Sequence, residues 1–123
     1  MVIKSEGGRG SGKTLEAELF VQRLKNKGKG EETKLQKSVQ KYLESKGAYC
    51  FKVHGSAYMK AGIPDIIACY KGYFIGIECK VGKNKMSKLQ EEHRDEIVRA
   101  GGIHILAYKL DDVKEVLEIF KKF

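Results

Sequence analysis

The chain has 123 residues, of which 41% are hydrophobic and 33% charged, and 24 Lys and Arg against 16 Asp and Glu give a formal net charge of +8. This length supports one domain with a hydrophobic core, and the composition excludes a disordered or fibrous protein. The sequence has no apolar run long enough to span a membrane, so we expect an intracellular, cytoplasmic protein with no membrane partner. The basic excess indicates a polyanionic partner, with nucleic acid ahead of an acidic membrane surface.

Residues 7–14 read GGRGSGKT, which matches the phosphate-binding loop of nucleotide-binding proteins. In such a loop, Gly12, Lys13 and Thr14 would be the nucleotide-binding residues, because backbone N–H groups, a lysine and a hydroxyl face the phosphates and a metal ion. The sequence signal for the strand that should precede the loop is weak. We therefore expect no ATP binding, and Lys13 is interpreted as a phosphate contact.

The apolar pattern of residues 14–27 predicts a helix, and NKGKG at residues 26–30 predicts its end and a linker. We divide the chain into a basic N-terminal extension, residues 1–30, and a main domain, residues 31–123. The extension is too short for a nucleotide-binding domain. It is interpreted as a basic arm on DNA, a glycine-rich helix start, or a fragment of a neighbouring ATPase reading frame.

The main domain begins with a predicted helix over residues 31–46 that ends at Gly47. Its apolar face consists of Leu35, Val39, Tyr42 and Leu43. The stretch AYCFKVHG, residues 48–55, alternates as a strand does, and one of its faces is polar. Two further apolar runs, IPDIIACY and YFIGIECKV, are separated by Lys71 and Gly72 and predict a β-hairpin.

Ser87 is predicted to open the next helix, which ends at Gly101 and Gly102 and is followed by a strand over residues 103–108. Asp111 or Asp112 is predicted to cap the last helix. The apolar stripe of that helix is Val113, Val116, Leu117 and Phe120. The main domain therefore reads helix, three strands, helix, strand, helix, and this order predicts an α/β fold with a mixed sheet flanked by helices.

The three cysteines stand singly in apolar or strand-like surroundings, and no pair has the spacing of a zinc site. They are Cys50, Cys69 and Cys79. We expect buried free thiols, and neither a disulfide framework nor a zinc site.

The chemistry of the sequence is concentrated in the predicted hairpin. Asp65 opens one strand after Pro64, the only proline of the chain. On the next strand Glu78 and Lys80 leave the same face. The two carboxylates can then converge on one Mg²⁺ or Mn²⁺ ion beside the lysine. The alternative is that Glu78 and Lys80 form the solvated face of an edge strand.

Pro64 and Asp65, followed by Glu78, Cys79 and Lys80, resemble the PD-(D/E)XK nuclease superfamily. The surrounding KVHG, AGIPDIIACYKG, GIECK and Gln90 resemble its VRR-NUC branch of phage and structure-specific repair nucleases, over about residues 31–113. The resemblance implies a restriction-endonuclease-like core and an Mg²⁺-dependent DNA endonuclease, with Mn²⁺ as a substitute. It further implies a homodimer acting on branched, flap or four-way junction DNA, and is compatible with a phage or prophage protein in a bacterial host.

Carried over to this sequence, the resemblance implies that Asp65 and Glu78 are metal ligands and that the Cys79 carbonyl completes the coordination shell. It also implies that Lys80 orients or deprotonates the attacking water and stabilises the negative charge that develops on the phosphate. Glu32, ahead of Glu31, corresponds to a helix carboxylate near the metal.

Gln90 matches a glutamine near the family's site. Two simpler interpretations stay open, because Glu32 can complement a helix dipole and Gln90 can form a capping box with Ser87. The DNA-binding candidates are Lys52, His54, Lys83, Lys85 and Lys88. A nucleotide binder and a catalytically silent DNA-binding module remain the alternatives to a nuclease.

Overall fold

A computed structural model describes residues 30–55 and 59–120 of the chain. The predictions for the phosphate-loop residues Gly12, Lys13 and Thr14 and for the helix over residues 14–27 lie outside these ranges. The division between an N-terminal extension and a main domain therefore stays a prediction. Within the described ranges, no helix has the length and apolarity that crossing a bilayer requires.

The described elements follow the predicted order of helix, three strands, helix, strand and helix. The first helix, α1, is described over residues 30–45. The strands are β1 (Tyr49–Lys52), β2 (Ile66–Tyr70), β3 (Tyr73–Cys79) and β4 (Ile103–Ala107), and the other helices are α2 (Lys88–Arg99) and α3 (Leu110–Phe120). The α/β fold class is confirmed.

The four strands form one sheet in the order β1-β2-β3-β4. The first three run antiparallel as a meander, whereas β4 is parallel to β3. A parallel neighbour requires a crossover connection, and α2 supplies it. The mixed sheet predicted from the sequence is therefore present, with β2 and β3 as its central strands.

One face of the sheet carries the hydrophobic core. Alternate residues of the central strands are fully buried there, including Ile66, Ile75 and Ile77 at 0% exposure. They pack with apolar residues of α1 and α3, namely Val39, Leu43, Val113 and Leu117. Burial of such a continuous apolar layer is the main contribution to the stability of a domain of this size.

The helix α2 lies against the opposite face of the sheet. A Cβ atom at Gly76 of β3 would lie 2.9 Å from Pro64 Cγ and 3.1 Å from Ile97 Cδ1. Gly76 alternates with the core-facing residues Ile75 and Ile77, so Ile97 must approach from the other side. The absent side chain thus lets α2 and the loop before β2 pack closely on the sheet.

The turn between β2 and β3 is the predicted two-residue turn, with φ of 52° at Lys71 and 85° at Gly72. Two successive positive φ values match the right-handed twist of a hairpin. The turn fixes the register, and Ile66 pairs with Ile77 at the far end of the hairpin. This register also determines which residues face each other at the next position, after Ile66 and Ile77.

Three expectations about local structure are wrong. The strand predicted over residues 48–55 is shorter than expected, because β1 ends at Lys52 and His54 lies beyond it. Its exposed face is aromatic, with Tyr49 72% and Phe51 45% exposed, while Cys50 packs against the core. Not all cysteines are buried either. Cys69 is exposed, although all three thiols are free as expected.

The start of α3 is also different from the prediction. Asp111 and Asp112 lie in its first turn and neither precedes it. The Asp112 carboxylate accepts hydrogen bonds from the backbone N–H groups of Tyr108, at 2.8 Å, and Lys109, at 3.2 Å. Asp112 therefore satisfies free donors at the helix start from inside the helix, since its side chain reaches back.

Candidate active site

The hairpin register brings two carboxyl groups together at the open end of β2 and β3. Ile66 and Ile77 form the last pair, so the next position of the antiparallel register places Asp65 opposite Glu78. The backbone N–H of Cys79 donates a hydrogen bond of 2.8 Å to Asp65 Oδ2. Asp65 is thereby tied to the end of β3, directly beside Glu78.

Glu78 is a buried acid on a central strand. Its exposure is 1%, and β3 lies between β2 and β4. Glu78 Oε1 accepts a hydrogen bond of 3.0 Å from Gln90 Nε2. Its other oxygen, Oε2, is buried and accepts no hydrogen bond from the described residues, and the Asp65 carboxyl group lies within hydrogen-bond reach of the Glu78 side chain. The alternative of a solvated edge strand is therefore wrong for Glu78.

The surroundings of Glu78 oppose its ionisation. Burial first, and then the charge of Asp65, raise the pKa of Glu78 to about 8, although the Lys80 ammonium group opposes the shift. A buried carboxylate with one unpartnered oxygen is costly unless a cation or a donor compensates it. A divalent cation at Oε2 would provide that compensation, in addition to the charge of Lys80.

The α1 helix contributes a third acid to the same electrostatic environment. Burial and the charge of Asp65 raise the pKa of Glu32, whereas Lys80 and Lys52 lower it. Glu32 is half-buried and Glu31 exposed, which favours Glu32 as the carboxylate near the site. One turn further on, Gln36 is 6% exposed, and no described residue donates a hydrogen bond to its Oε1.

Gln90 forms the capping box with Ser87 and also contacts the candidate site. Its backbone N–H donates to Ser87 Oγ at 3.2 Å, and its Oε1 accepts from the Ser87 backbone N–H at 2.8 Å, which is a complete capping box. The remaining amide nitrogen donates to Glu78. The start of α2 and the orientation of the Glu78 carboxyl are therefore fixed by the same side chain.

The residues present fit a divalent cation held by two carboxylates. Within residues 30–55 and 59–120, no three Asp, Glu, His or Cys side chains are grouped as a metal site. Mg²⁺, however, keeps several waters and binds proteins through one or two carboxylates. The unpartnered Glu78 Oε2 and the adjacent Asp65 provide such a pair. The Asp65 and Glu78 side chains alone do not complete the coordination shell of the ion.

The basic candidates lie around this pair. Lys83, Lys85 and Lys88 are exposed in and after the loop that follows β3, and Lys80 is half-buried. Lys52 is half-buried at the end of β1 and acts electrostatically on Glu32. His54 is exposed beyond the strand. The site is thus bordered by cations that can contact phosphate.

Sequence reasoning missed a residue that holds the basic loop in place. The Tyr108 hydroxyl, just after β4, donates a hydrogen bond of 2.6 Å to the backbone carbonyl of Asn84. The Asn84 N–H in turn donates to the Val81 carbonyl at 3.2 Å. A tyrosine at a strand end gives no sequence signal for a partner 24 residues away.

Comparison with known proteins identifies the family. The family model of the archaeal Holliday junction resolvase (Hjc) matches residues 23–122. Among curated protein sequences, none is significantly similar to this chain.

Solved structures share the fold. A VRR_NUC domain is 19% identical, covers 72% of this chain and 95% of its own, and superimposes with a TM-score of 0.62. A VRR_NUC domain protein is 22% identical over 71% of this chain and 84% of its own, with a TM-score of 0.57.

An Archaeoglobus fulgidus Hjc, a Holliday junction resolvase from an archaeal hyperthermophile, is 23% identical over 63% of this chain and 67% of its own, with a TM-score of 0.51. The VRR-NUC and restriction-endonuclease-like character expected from the sequence is confirmed at the level of the fold. With a family model matched over most of its length, the chain belongs to the archaeal Holliday junction resolvase family and is a DNA-binding nuclease.

Proposed function

We propose that the protein is an Mg²⁺-dependent endodeoxyribonuclease, with Mn²⁺ as a substitute, that hydrolyses phosphodiester bonds in branched DNA. The observation that carries this proposal is the buried Glu78 carboxyl with its unpartnered Oε2, directly beside Asp65. The family match favours four-way junctions as the branched substrate, ahead of flaps. The net charge of +8 suits a polyanion.

Asp65, Glu78 and the Cys79 carbonyl would hold the ion at the open end of β2 and β3. When bound, Mg²⁺ lowers the pKa of a coordinated water and offsets charge on the phosphate. The protein contributes rigidity to this arrangement. Asp65 is fixed by the Cys79 N–H and Glu78 by the Gln90 amide, so that both carboxylates are oriented before substrate arrives.

Lys80 leaves the same face of β3 as Glu78 and lies close enough to act on its charge. In the proposed reaction it orients the attacking water and stabilises the negative charge that develops on the phosphate oxygens. Glu32, whose pKa is raised by burial and by Asp65, would accept a hydrogen bond from a water at the site. Gln90 acts as a positioning residue through Glu78.

DNA would be held by the cations around the carboxylates. Lys83, Lys85 and Lys88 extend from the site along the exposed loop, and Lys52 and His54 flank it at the end of β1. Each lysine–phosphate contact adds to affinity through counterion release. A homodimer fits a four-way junction, since two copies related by a twofold axis can cut two strands symmetrically.

The test compares DNA substrates and two variants. Purified protein is incubated with a four-way junction, a flap and a linear duplex of matched length, with Mg²⁺, Mn²⁺ or EDTA. We expect cleavage of the branched substrates with either ion and none with EDTA. Asp65→Ala and Lys80→Ala should cut nothing. Cleavage in EDTA, or full activity in Asp65→Ala, would overturn the proposal.

A further inference from the structure

A cavity lies beside the carboxylate pair, on the side of Asp65. Its volume is about 290 Å³, and Asp65 itself forms part of its wall. The remaining lining residues come from the end of β1 and from the loop before β2. They are Val53, Gly55, Met59, Lys60, Ala61, Gly62, Ile63 and Pro64. Whatever fills the cavity therefore lies against Asp65, one residue of the proposed catalytic centre.

The walls of the cavity are held from two sides. The Val53 N–H donates a hydrogen bond of 2.8 Å to the Asp65 carbonyl, which ties the end of β1 to the start of β2. Gly62 has φ of 87°, and a Cβ atom there would lie 2.7 Å from the Leu89 carbonyl carbon. A side chain at Gly62 would thus push the wall away from the first turn of α2. Two of the described parts of the cavity wall are therefore fixed by contacts with neighbouring elements.

The chemistry of the lining suits an apolar group with an attached anion. Val53, Ile63, Pro64 and Met59 present apolar surface, and Met59 is 42% exposed. Lys60 is the cation of the lining and is exposed to solvent. In a nuclease, the ligand class with an apolar face and a linked phosphate is a nucleotide of the substrate. Pockets that receive unstacked bases hold them between apolar or aromatic side chains, and the lining residues of this cavity supply the apolar kind.

We propose that this cavity receives one unstacked nucleobase of the bound DNA, next to the phosphate that is cut. The proposal rests on the proposed function and deepens it, because it gives the enzyme a reason to prefer branched DNA. A base inside a continuous duplex must be unstacked at a cost of about a few kcal/mol, whereas a base at a branch point is released more easily. The cavity therefore acts as a specificity element.

The first measurement locates the base. 2-Aminopurine, whose fluorescence rises when it leaves the base stack, is placed one position at a time around the branch point of a four-way junction. Binding is measured without divalent cations, so that no strand is cut. We expect a clear rise at one position per cleaved strand on binding of the protein, and no rise in a linear duplex of the same sequence.

The second measurement narrows the cavity. Ala61→Phe introduces a ring at a residue of the cavity wall, and Ala100→Phe is the matched control, because Ala100 is also exposed and lies beyond the end of α2. On the intact junction, Ala61→Phe should cut about tenfold more slowly, which corresponds to ~1.4 kcal/mol. The control should stay within about twofold. On a junction with an abasic site at the located position, Ala61→Phe and the native protein should cut equally.

The outcomes separate this proposal from the proposed function. Cleavage of junctions with no fluorescence rise at any position, or equal cleavage of the intact junction by Ala61→Phe and the native protein, would overturn the base cavity and leave the nuclease function standing. A loss in Ala61→Phe that persists on the abasic junction would also overturn it. If no branched DNA is bound or cut at all, the proposed function fails and the base cavity fails with it.

Discussion

Two neighbouring residue pairs of the β2–β3 hairpin have opposite chemistry, although Glu78 is as deeply buried as the isoleucines beside it. Ile66 and Ile77 pair within the sheet and are both fully buried. One position further along the register, Asp65 lies opposite Glu78, which is 1% exposed. The isoleucine pair has every reason to be buried, since apolar burial stabilises the fold. Burial of the acid pair brings no such gain, because Glu78 Oε2 accepts no hydrogen bond from the described residues.

The difference shows where the hairpin stops contributing to stability and starts contributing to function. A buried acid that the fold does not need is a candidate ligand for something absent from the protein alone. Replacing the two kinds of residue should therefore have opposite effects on stability and on cleavage. The predictions below test this contrast in order of decreasing effect.

The largest effect is expected on catalysis at the acid pair. Glu78→Gln and Asp65→Asn keep the shape of the side chains and remove a negative charge. Cleavage of a four-way junction should fall by a factor of about 10² to 10⁴, the range typical for loss of an essential group. Single-turnover cleavage rates measure this. Glu115→Gln, an exposed acid of α3, is the control and should cut at the native rate.

The next effect is expected on stability at the apolar pair. Ile77→Ala removes a fully buried side chain from the centre of the core. The free energy of unfolding should fall by about 2–5 kcal/mol, as for other large-to-small core substitutions. Urea unfolding measures it. Ile119→Ala, at a position 54% exposed, should change stability little. A larger loss of stability in Glu78→Gln than in Ile77→Ala would contradict the contrast.

The pH dependence of stability should sharpen the contrast. The pKa of Glu78 is raised from 4.5 to about 8, so the folded chain holds a proton that the unfolded chain releases. Without divalent cations, this residue makes the free energy of unfolding fall as pH rises from about 4.5 to about 8, and no further above that range.

Glu78→Gln cannot ionise and should escape this loss. Its stability relative to the native protein should increase across the same pH window and level off above it. Thermal unfolding in EDTA at a series of pH values measures the difference. A difference that is constant with pH, or that shrinks as pH rises, would show that Glu78 is not held in its protonated form.

A smaller effect is expected at the basic loop. Tyr108→Phe removes the hydroxyl that donates to the Asn84 carbonyl. A typical hydrogen bond contributes about 0.5–1.5 kcal/mol, and its loss should loosen the loop that carries Lys83 and Lys85. Junction affinity, measured by fluorescence anisotropy, should weaken a few-fold. Tyr49→Phe is the control, since Tyr49 lies 72% exposed on β1. Equal junction affinities in the two variants would show that the Tyr108 hydroxyl does not hold the basic loop in place.

Much of this molecule could be predicted from local patterns. Helical spacing predicted α1, α2 and α3, and the turn at Lys71 and Gly72 predicted the hairpin, because these signals lie within a few residues of one another. The hairpin in turn predicted that Asp65 and Glu78 lie together. A register follows from a turn, so this part of the candidate site could be predicted without the tertiary structure.

The remaining features depend on neighbours that are distant in sequence. The aromatic side of β1 faces outward because α1 lies on the other side, where Cys50 contacts the Gln40 carbonyl, and no local pattern states which side is covered. The link between Tyr108 and Asn84 crosses 24 residues. The cavity beside Asp65 depends on Gly62 packing against Leu89. Each is decided by packing between elements, which periodicity does not contain.

The central claim is that Asp65 and Glu78 share one divalent cation. Mn²⁺ binding, followed by loss of the electron paramagnetic resonance signal of the free ion, tests it directly on the native protein, Asp65→Asn, Glu78→Gln and Glu115→Gln. We expect saturable binding that competes with Mg²⁺ in the native protein and in Glu115→Gln, and loss of this binding in Asp65→Asn and Glu78→Gln. Binding of equal strength in all four proteins would contradict it.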